Sequence, residues 1–377
     1  MIKMDYETYN CTLETKSPVI VAAGSEYQYG PQEYIFTKKP LKDRKIDLIK
    51  RIDITKYYKS LDEDKKKELL KDLSKFDFKL EESLKFKKNA EKYSPYCSIS
   101  ECETKPKKEI IEHVKTRDKI YIPGSSIKGA LSTAILYNKI KINDVKGVIK
   151  NKDAYDKILK KYFSSNEKNL TQSSIMRFIQ ITDTYTEKII PIIYDIQLIQ
   201  VKNIQSQKIK SNSKDECLKH DNNRTTYYEA IAPKYKLNCD ITIKKDKEIL
   251  NQLNLKEKGK ILDIDYIKDV LYKFSMDYIE YEQNFIDTYN IDFLKDYYKQ
   301  LAKENTPDSP LIRVGLGSGF MQTTINMKTK NEDPMLYKKV QKIAHKKSSD
   351  YEFPKSRKIT AKTKKPLGWI KLRFDKK

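Results

Sequence analysis

Glycine is scarce in this chain, ten residues in 377, and eight of the ten fall in four short segments. A chain this poor in glycine keeps it mainly where the backbone needs positive φ or where another group must approach closely. Two segments with this character can do chemistry on an anion. In Ile122-Pro-Gly-Ser-Ser-Ile-Lys-Gly-Ala130, a strand over 119–122 runs into Gly124, Ser125 and Ser126, where a helix begins. A helix start offers free amides and a partial positive charge. Ser125 or Ser126 can cap it, and Lys128 adds a cation in the first turn, which together make a phosphate-binding arrangement. In Arg313-Val-Gly-Leu-Gly-Ser-Gly-Phe320 a strand over 311–314 enters a loop with glycine at 315, 317 and 319. Beside Arg313 and Ser318, such a loop lets a sugar-phosphate backbone rest against main-chain amides.

A third segment, Lys364-Lys365-Pro366-Leu367-Gly368-Trp369, sets the only tryptophan beside a glycine and two lysines. Base stacking on Trp369 with phosphate pairing at Lys365 is one use of that pattern, and a packed strand residue is the other. Neither glycine motif is a nucleotide fingerprint of another kind. The Walker pattern is missing. Glu332 and Asp333 lie near the distance a dinucleotide site requires, but no parallel-strand context surrounds them.

Catalytic chemistry finds weaker support. The three histidines, His113, His220 and His345, each sit in a polar, lysine-rich segment with no nucleophile or second histidine at useful spacing. Each is expected to be a solvated loop residue. Asp183, Asp195 and Glu229 stand alone beside strands, as caps or ion-pair partners do. Cys97 and Cys102 lack a second ligand pair, so no metal or other cofactor is expected.

The charge balance points the same way as the glycines. Lysine plus arginine number 76 and aspartate plus glutamate 53, a formal net charge of +23. Over-used Lys, Ile, Tyr and Asn mark an A/T-rich genome, which accounts for part of the excess. Residues 340–377, however, hold 13 basic and 3 acidic residues. Charge concentrated in this way fits a polyanionic partner. Charged residues make up 34% and the hydrophobic fraction is 38%, with 27 Tyr and 12 Phe to build a core. No run of about 18 apolar residues exists to cross a membrane. The N-terminus has no apolar signal core. Five cysteines form an odd set, which fits a reducing cytoplasm better than a disulfide framework.

The elements that would hold these motifs read as an α+β mixture without a regular βα repeat. Residues 8–22 read as strand, turn, strand. Residues 41–92 have helical periodicity, with a capping box at Ser60-x-x-Glu63. Residues 93–118 read as a loop. Strands are expected at 34–36, 178–182, 192–201, 225–231, 235–243 and 369–374, with a loop at 203–223. The apolar stripe from Ile267 to Phe285 predicts one long helix over about 264–303. Residues 328–365 read as a basic stretch.

The three glycine motifs and the segment Tyr228-Glu-Ala-Ile-Ala-Pro233 resemble those of the RAMP superfamily of CRISPR proteins. Their combination and order are most similar to the fifth-subunit family of the type III-A (Csm) effector complex. Ala232-Pro-Lys234 departs from the family's usual Pro-Gly, and the lysine-rich insertions are long. The resemblance implies ferredoxin-like (RRM-like) domains with antiparallel sheets, helical insertions and a Gly-rich loop. One domain is expected over 1–200, with a charged helical insertion at about 41–118. A second is expected over 201–377, with the loop 314–320 and the basic tail.

It further implies a non-catalytic RNA-binding role in antiviral defence, with the chain holding the 3′ region of the guide RNA and capping the backbone of the complex. Partners implied are guide RNA, target RNA as a further contact, and backbone subunits; no membrane is involved. The alternative within the same superfamily is a metal-independent endoribonuclease that processes guide precursors. The candidate RNA-binding residues are Gly124, Ser125, Ser126, Lys128, Arg313, Gly315, Gly317, Ser318, Gly319, Lys365 and Trp369.

Overall fold

In the computed structural model, which describes residues 6–24, 26–40, 45–148, 154–165, 173–186, 189–201, 218–220, 225–345 and 353–377, the strands gather into two large sheets. In chain order the strands are β1 (Tyr6–Thr15), β2 (Gln28–Tyr29), β3 (Tyr34–Pro40), β4 (Lys45–Arg51), β5 (Cys97–Ser100), β6 (Ile110–Ile111), β7 (Lys115–Thr116) and β8 (Lys119–Ile120). They continue with β9 (Ile179–Ile181), β10 (Ile192–Val201), β11 (Leu218–His220), β12 (Thr226–Ala230), β13 (Lys236–Lys244), β14 (Leu311–Arg313), β15 (Ser356–Thr360) and β16 (Trp369–Lys376).

The first sheet has the order β14-β16-β1-β13-β9, and every pairing in it is antiparallel. Alternation decides which face is inside. On β1, Tyr9, Cys11, Leu13 and Thr15 are buried. Thr8 and Thr12 point the other way and hydrogen-bond across to Thr242 and Asn238. Cys11 pairs in register with Cys239, and both are free buried thiols. The buried face carries the helices Gly124–Lys139 and Ile264–Thr288, whose Ile127, Leu131, Ile135, Val270, Leu271 and Phe274 join the largest core.

The second sheet runs β2-β6-β12-β10-β5-β4-β3, with β11 and β15 also on β10. Its β10–β5 and β12–β6 pairings are parallel and the others antiparallel. Both sheets draw strands from either side of residue 200, so hydrogen bonding crosses the boundary expected there. The basic C-terminal region is woven into both sheets as well, β15 into the second and β16 into the first.

Several expectations are corrected. The single helix expected over 264–303 is two helices, Ile264–Thr288, which holds the whole apolar stripe, and Asp292–Glu304. They break at Asn290, which takes a left-handed φ of 53° that asparagine tolerates better than most side chains. Helix Glu63–Leu73 is capped by Asp62, which accepts from Lys65 N at 2.9 Å, while Ser60 ends the preceding helix. Residues 8–22 hold one long strand, β1, followed by single bridges at Val19 and Ala22. Within 93–118, the expected loop contains β5, β6 and β7. The basic stretch 328–365 holds most of the helix Asn326–Glu332, the helix Pro334–His345 and β15. Of the loop expected over 203–223, only 218–220 is described, as β11; the rest lies outside the described residues. The charged insertion has a core of its own, built on Ile35, Ile52, Tyr57, Leu69, Leu80 and Phe86. Many of its surface charges pair locally, as in Lys65–Asp62 and Lys75–Asp72.

Candidate nucleic-acid interface

The first sheet ends at the tip where β1, β14 and β16 meet, and there the glycine motifs converge. β14 pairs with β16 through Arg313↔Trp369, so the segments leaving them are neighbours. Val314 N donates to Gly368 O at 2.9 Å. The chain after β1 closes the third side, with Leu316 N donating to Ile20 O at 2.8 Å and Gly368 N to Pro18 O at 2.8 Å. This crowding explains two of the glycines. Gly315 has φ +69° and a Cβ there would collide with Ile20 O; Gly368 has φ +85° and a Cβ would collide with Val314 O. Both conditions, positive φ and close backbone approach, select glycine.

What remains open is a ledge. Gly315 and Gly319 are exposed, while Ser318 is buried and donates from Oγ to Gly315 O at 3.0 Å. Gly317 lies 3.0 Å, measured from an added Cβ, from Leu367 Cβ and 3.2 Å from Arg313 Nη2. A cleft of about 400 Å³ separates the ledge from the helix Gly124–Lys139, with Ser126, Gly129, Thr133, Gly315, Ser318 and Thr323 among its walls. A second cleft of about 390 Å³ lies on the ledge's other flank, between Gly315–Met321 and the Pro354–Lys358 segment. The structure thus brings motif 122–130, motif 313–320 and motif 366–369 to one place.

Individual side chains fall into two groups. Ser125 and Lys365 are exposed, and Ser126 and Lys128 are half-buried. Burial pushes the Lys128 ammonium below its ordinary value. These can meet a ligand. Arg313 and Trp369 cannot in this arrangement. Arg313 is 4% exposed and Trp369 is 0% exposed. Arg313 donates from Nε to Leu367 O at 2.6 Å and from Nη1 to Tyr278 Oη at 2.8 Å, and lies over the Tyr278 and Trp369 rings. Trp369 packs against Tyr278 and Tyr298. The expected phosphate contact and base stack are therefore corrected: both residues brace the ledge from beneath.

The helix start is corrected too. Neither Ser125 nor Ser126 caps it. The N-cap is Pro123, and Gly124 N donates to Asp183 Oδ1 at 2.9 Å. An anion already sits at the first amide, and it is the protein's own carboxylate.

A charged network also lies under the ledge. Arg357 donates from Nε to both carboxylate oxygens of Glu282, at 2.9 and 2.8 Å, and stacks 3.8 Å over Phe285. Glu282 raises the Arg357 guanidinium further, against the opposing effect of burial.

Of the catalytic candidates, His113 is fully buried rather than solvated. Its Nδ1 accepts from Val21 N at 3.2 Å, which leaves the Nε2 proton to donate to Tyr121 O at 2.8 Å. Burial lowers its pKa to about 4, so the ring is neutral at pH 7 and both nitrogens are engaged. The side chains of His220 and His345 lie outside the described residues. Asp195 accepts from Glu103 N at 2.8 Å, and burial raises its carboxyl. Among the described residues no group of three or more His, Cys, Asp or Glu is placed to hold a metal ion.

Glu229, expected to be a cap or an ion-pair partner, is an ion-pair partner of Lys115 and the centre of a larger network that sequence reasoning missed. It is fully buried and accepts from Tyr96 Oη at 2.6 Å, Lys115 Nζ at 2.7 Å, Tyr29 Oη at 3.1 Å and His113 N at 3.3 Å. This hub ties β12 to β2, β7 and the segment before β5. Its one sequence signal was the segment Tyr228–Pro233.

The RAMP superfamily matches residues 12–322. The "CRISPR system Cms protein Csm5" of Methanocaldococcus jannaschii is 25% identical over 295 residues, spanning 70% of this chain and 67% of that protein. A chain of a type III-A Csm–crRNA–target RNA ternary complex superposes with a TM-score of 0.67 at 19% identity, over 97% of this chain and 100% of that one. The Csm5 of T. onnurineus superposes with a TM-score of 0.62 at 17% identity, over 95% and 99%. These two likenesses are of fold.

Proposed function

This chain belongs to the RAMP superfamily, and from that membership we propose that it is an RNA-binding subunit of a type III-A CRISPR effector complex. In this reading it holds the 3′ region of the guide RNA, caps the backbone of the complex, contacts a neighbouring backbone subunit and works in the cytoplasm without cutting RNA. The relative named Csm5 and the fold shared with a chain of a Csm–crRNA–target RNA complex support it. The observation that carries it is the exposed Gly315–Gly319 ledge between two clefts, where three separated motifs meet. At Gly319, where a Cβ would meet nothing within 4 Å, the bare backbone admits a ribose-phosphate chain close to its amides. Lys128 and Lys365 supply phosphate partners at its margins, and Lys358 is a third cation there, on the wall of the second cleft.

The finer fold reading is also ours. β1, helix 124–139, β9, β13, helix 264–288 and β16 follow one another in the chain, and the sheet order is β16-β1-β13-β9. That is the ferredoxin-like βαββαβ pattern. It supports one such unit closed by both ends of the chain, with the second sheet built on the segments between.

The experiment is to express the tagged chain with its native neighbours and identify the proteins and RNA ends that co-purify. Guide RNA and Csm-type subunits support the reading, and recovery without either overturns it. Pure chain incubated with labelled guide precursor in EDTA should leave the RNA intact; discrete products would instead favour the endoribonuclease.

A further inference from the structure

At the opposite end of the first sheet lies a cleft of about 420 Å³ with a different chemistry. Its floor is Leu250 and Leu262, both part of the core, and its rim is Lys245, Lys247, Lys256 and Lys260. Its one acidic lining residue, Asp263, is engaged as the N-cap of helix 264–288, accepting from Asp265 N at 2.8 Å. Lys245 is matched by Glu7 at 2.6 Å. Lys247, Lys256 and Lys260 are exposed and, among the described residues, have no ion-pair partner. Behind them Lys139 and Lys260 sit 5.6 and 5.5 Å from the centre of the same Tyr266 ring. Burial, with the Lys260 charge adding to it, lowers the Lys139 ammonium; burial and Lys139 likewise lower Lys258. The other acidic groups on these segments are Glu248 and Glu257, both exposed, Asp246, which accepts from Ile249 N, and Asp265 and Asp269, which pair with Lys268 and Lys273; Glu7 and Asp263 are engaged as described. The fold therefore holds several unmatched cations together at one place, and an anion would relieve their repulsion.

We propose that this cleft is a second seat for the phosphodiester backbone of RNA, remote from the glycine ledge. It rests on the reading of the chain as an RNA-binding subunit. Lysine is depleted in protein–protein interfaces, so a lysine rim favours a polyanion over a protein partner. The three unmatched ammoniums come from two segments and are separate point charges, which suits successive phosphates better than one ion. The two seats are related through β1. Tyr6 pairs with Lys244 at the cleft end and Thr15 with Ile370 at the ledge end. At about 3.3 Å per residue the separation is roughly 30 Å. At about 3.4 Å per stacked nucleotide, roughly nine nucleotides cover it.

The test is fluorescence anisotropy of the full chain with labelled oligouridines of about five and about 25 nucleotides, for the parent and for the combined Lys247→Ala, Lys256→Ala, Lys260→Ala variant. All three residues are exposed, so the variant should melt with the parent. Affinity for the long RNA should fall at least tenfold. Its log–log salt slope should become shallower by about 2, at about 0.7 for each phosphate that the variant leaves unneutralised. Affinity for the short RNA should fall by less, because the ledge can still hold it. If the long RNA binds the variant with the parent's affinity and slope, the second seat is overturned while the ledge stands. If the short RNA binds the parent but not the variant, the ledge falls and the cleft stands. If the variant keeps its RNA but loses a co-purifying protein, the cleft belongs to an acidic protein and the proposal is overturned.

Discussion

Arg313 Nε donates to the main-chain oxygen of Leu367 at 2.6 Å, so the cation beside one glycine motif is fastened beneath another. A motif arginine usually suggests a ligand contact. Here the guanidinium is 4% exposed, lies between Tyr278 and Trp369, and sets how the 313–320 and 366–369 segments fit together. Under the proposed function, RNA contact at this tip falls to the backbone and the peripheral lysines, and stability to the arginine and tryptophan.

The first prediction follows from that division. Arg313→Met leaves Leu367 O and Tyr278 Oη without their donor in a buried setting. Each such loss costs about 1–3 kcal/mol, so the variant should lose on the order of 2–6 kcal/mol of stability. Trp369→Ala should lose about 3–5 kcal/mol by the usual cost of an emptied aromatic site. Denaturant melts measure both. At a temperature where the variants stay folded, RNA affinity should match the parent; a weakened affinity with normal stability would return both residues to the ligand.

The glycines of the ledge should separate in the same way. Gly315→Ala forces a Cβ against Ile20 O at positive φ and should cost several kcal/mol. At Gly319, φ is +67° but a Cβ meets nothing within 4 Å. Gly319→Asn, a residue that tolerates this φ, should cost about 1 kcal/mol or less. If the ledge carries RNA, Gly319→Asn weakens RNA binding while melting nearly normally. Unchanged affinity would make Gly319 only a turn.

Acid should act through His113. Burial holds its pKa at about 4, against 6.5 in an unfolded chain. Between these values the unfolded state carries the extra proton, so stability rises with pH and falls as pH drops from 6.5 toward 4. The full effect is on the order of 3 kcal/mol. His113→Asn keeps an acceptor but does not titrate. Its melting temperature should vary less with pH across this window than the parent's; an identical slope would contradict the assignment.

The elements most legible in the sequence were those whose periodicity decides them locally. β10 and the first half of the long helix follow from runs of Ile, Leu and Phe at their proper spacings. The convergence of the glycine motifs was hinted at by scarcity alone, since so few glycines remained to be explained. What could not be read was long-range. Nothing in Arg313 or Trp369 says that they meet Tyr278 on the helix 264–288, and although Asp183 reads as a cap or ion-pair partner, nothing in it says that the helix it caps begins 59 residues earlier. Glu229 looked like an isolated carboxylate because its partners, Tyr29, Tyr96 and Lys115, are brought together only by sheet order. The break at Asn290 was hidden because apolar residues continue at helical spacings on both sides of it, although Leu294, Tyr298 and Leu301 fall on a different face from Phe274, Tyr278 and Phe285.

The central claim, that this chain binds single-stranded RNA through its phosphates, is tested most directly by the affinity of the pure full-length chain for labelled RNA across a salt series. With five or more phosphates neutralised at about 0.7 each, the log–log slope should be steeper than about −3, and it should be alike for unrelated sequences. A slope near zero between low and moderate salt, or no measurable binding at low salt, would contradict it.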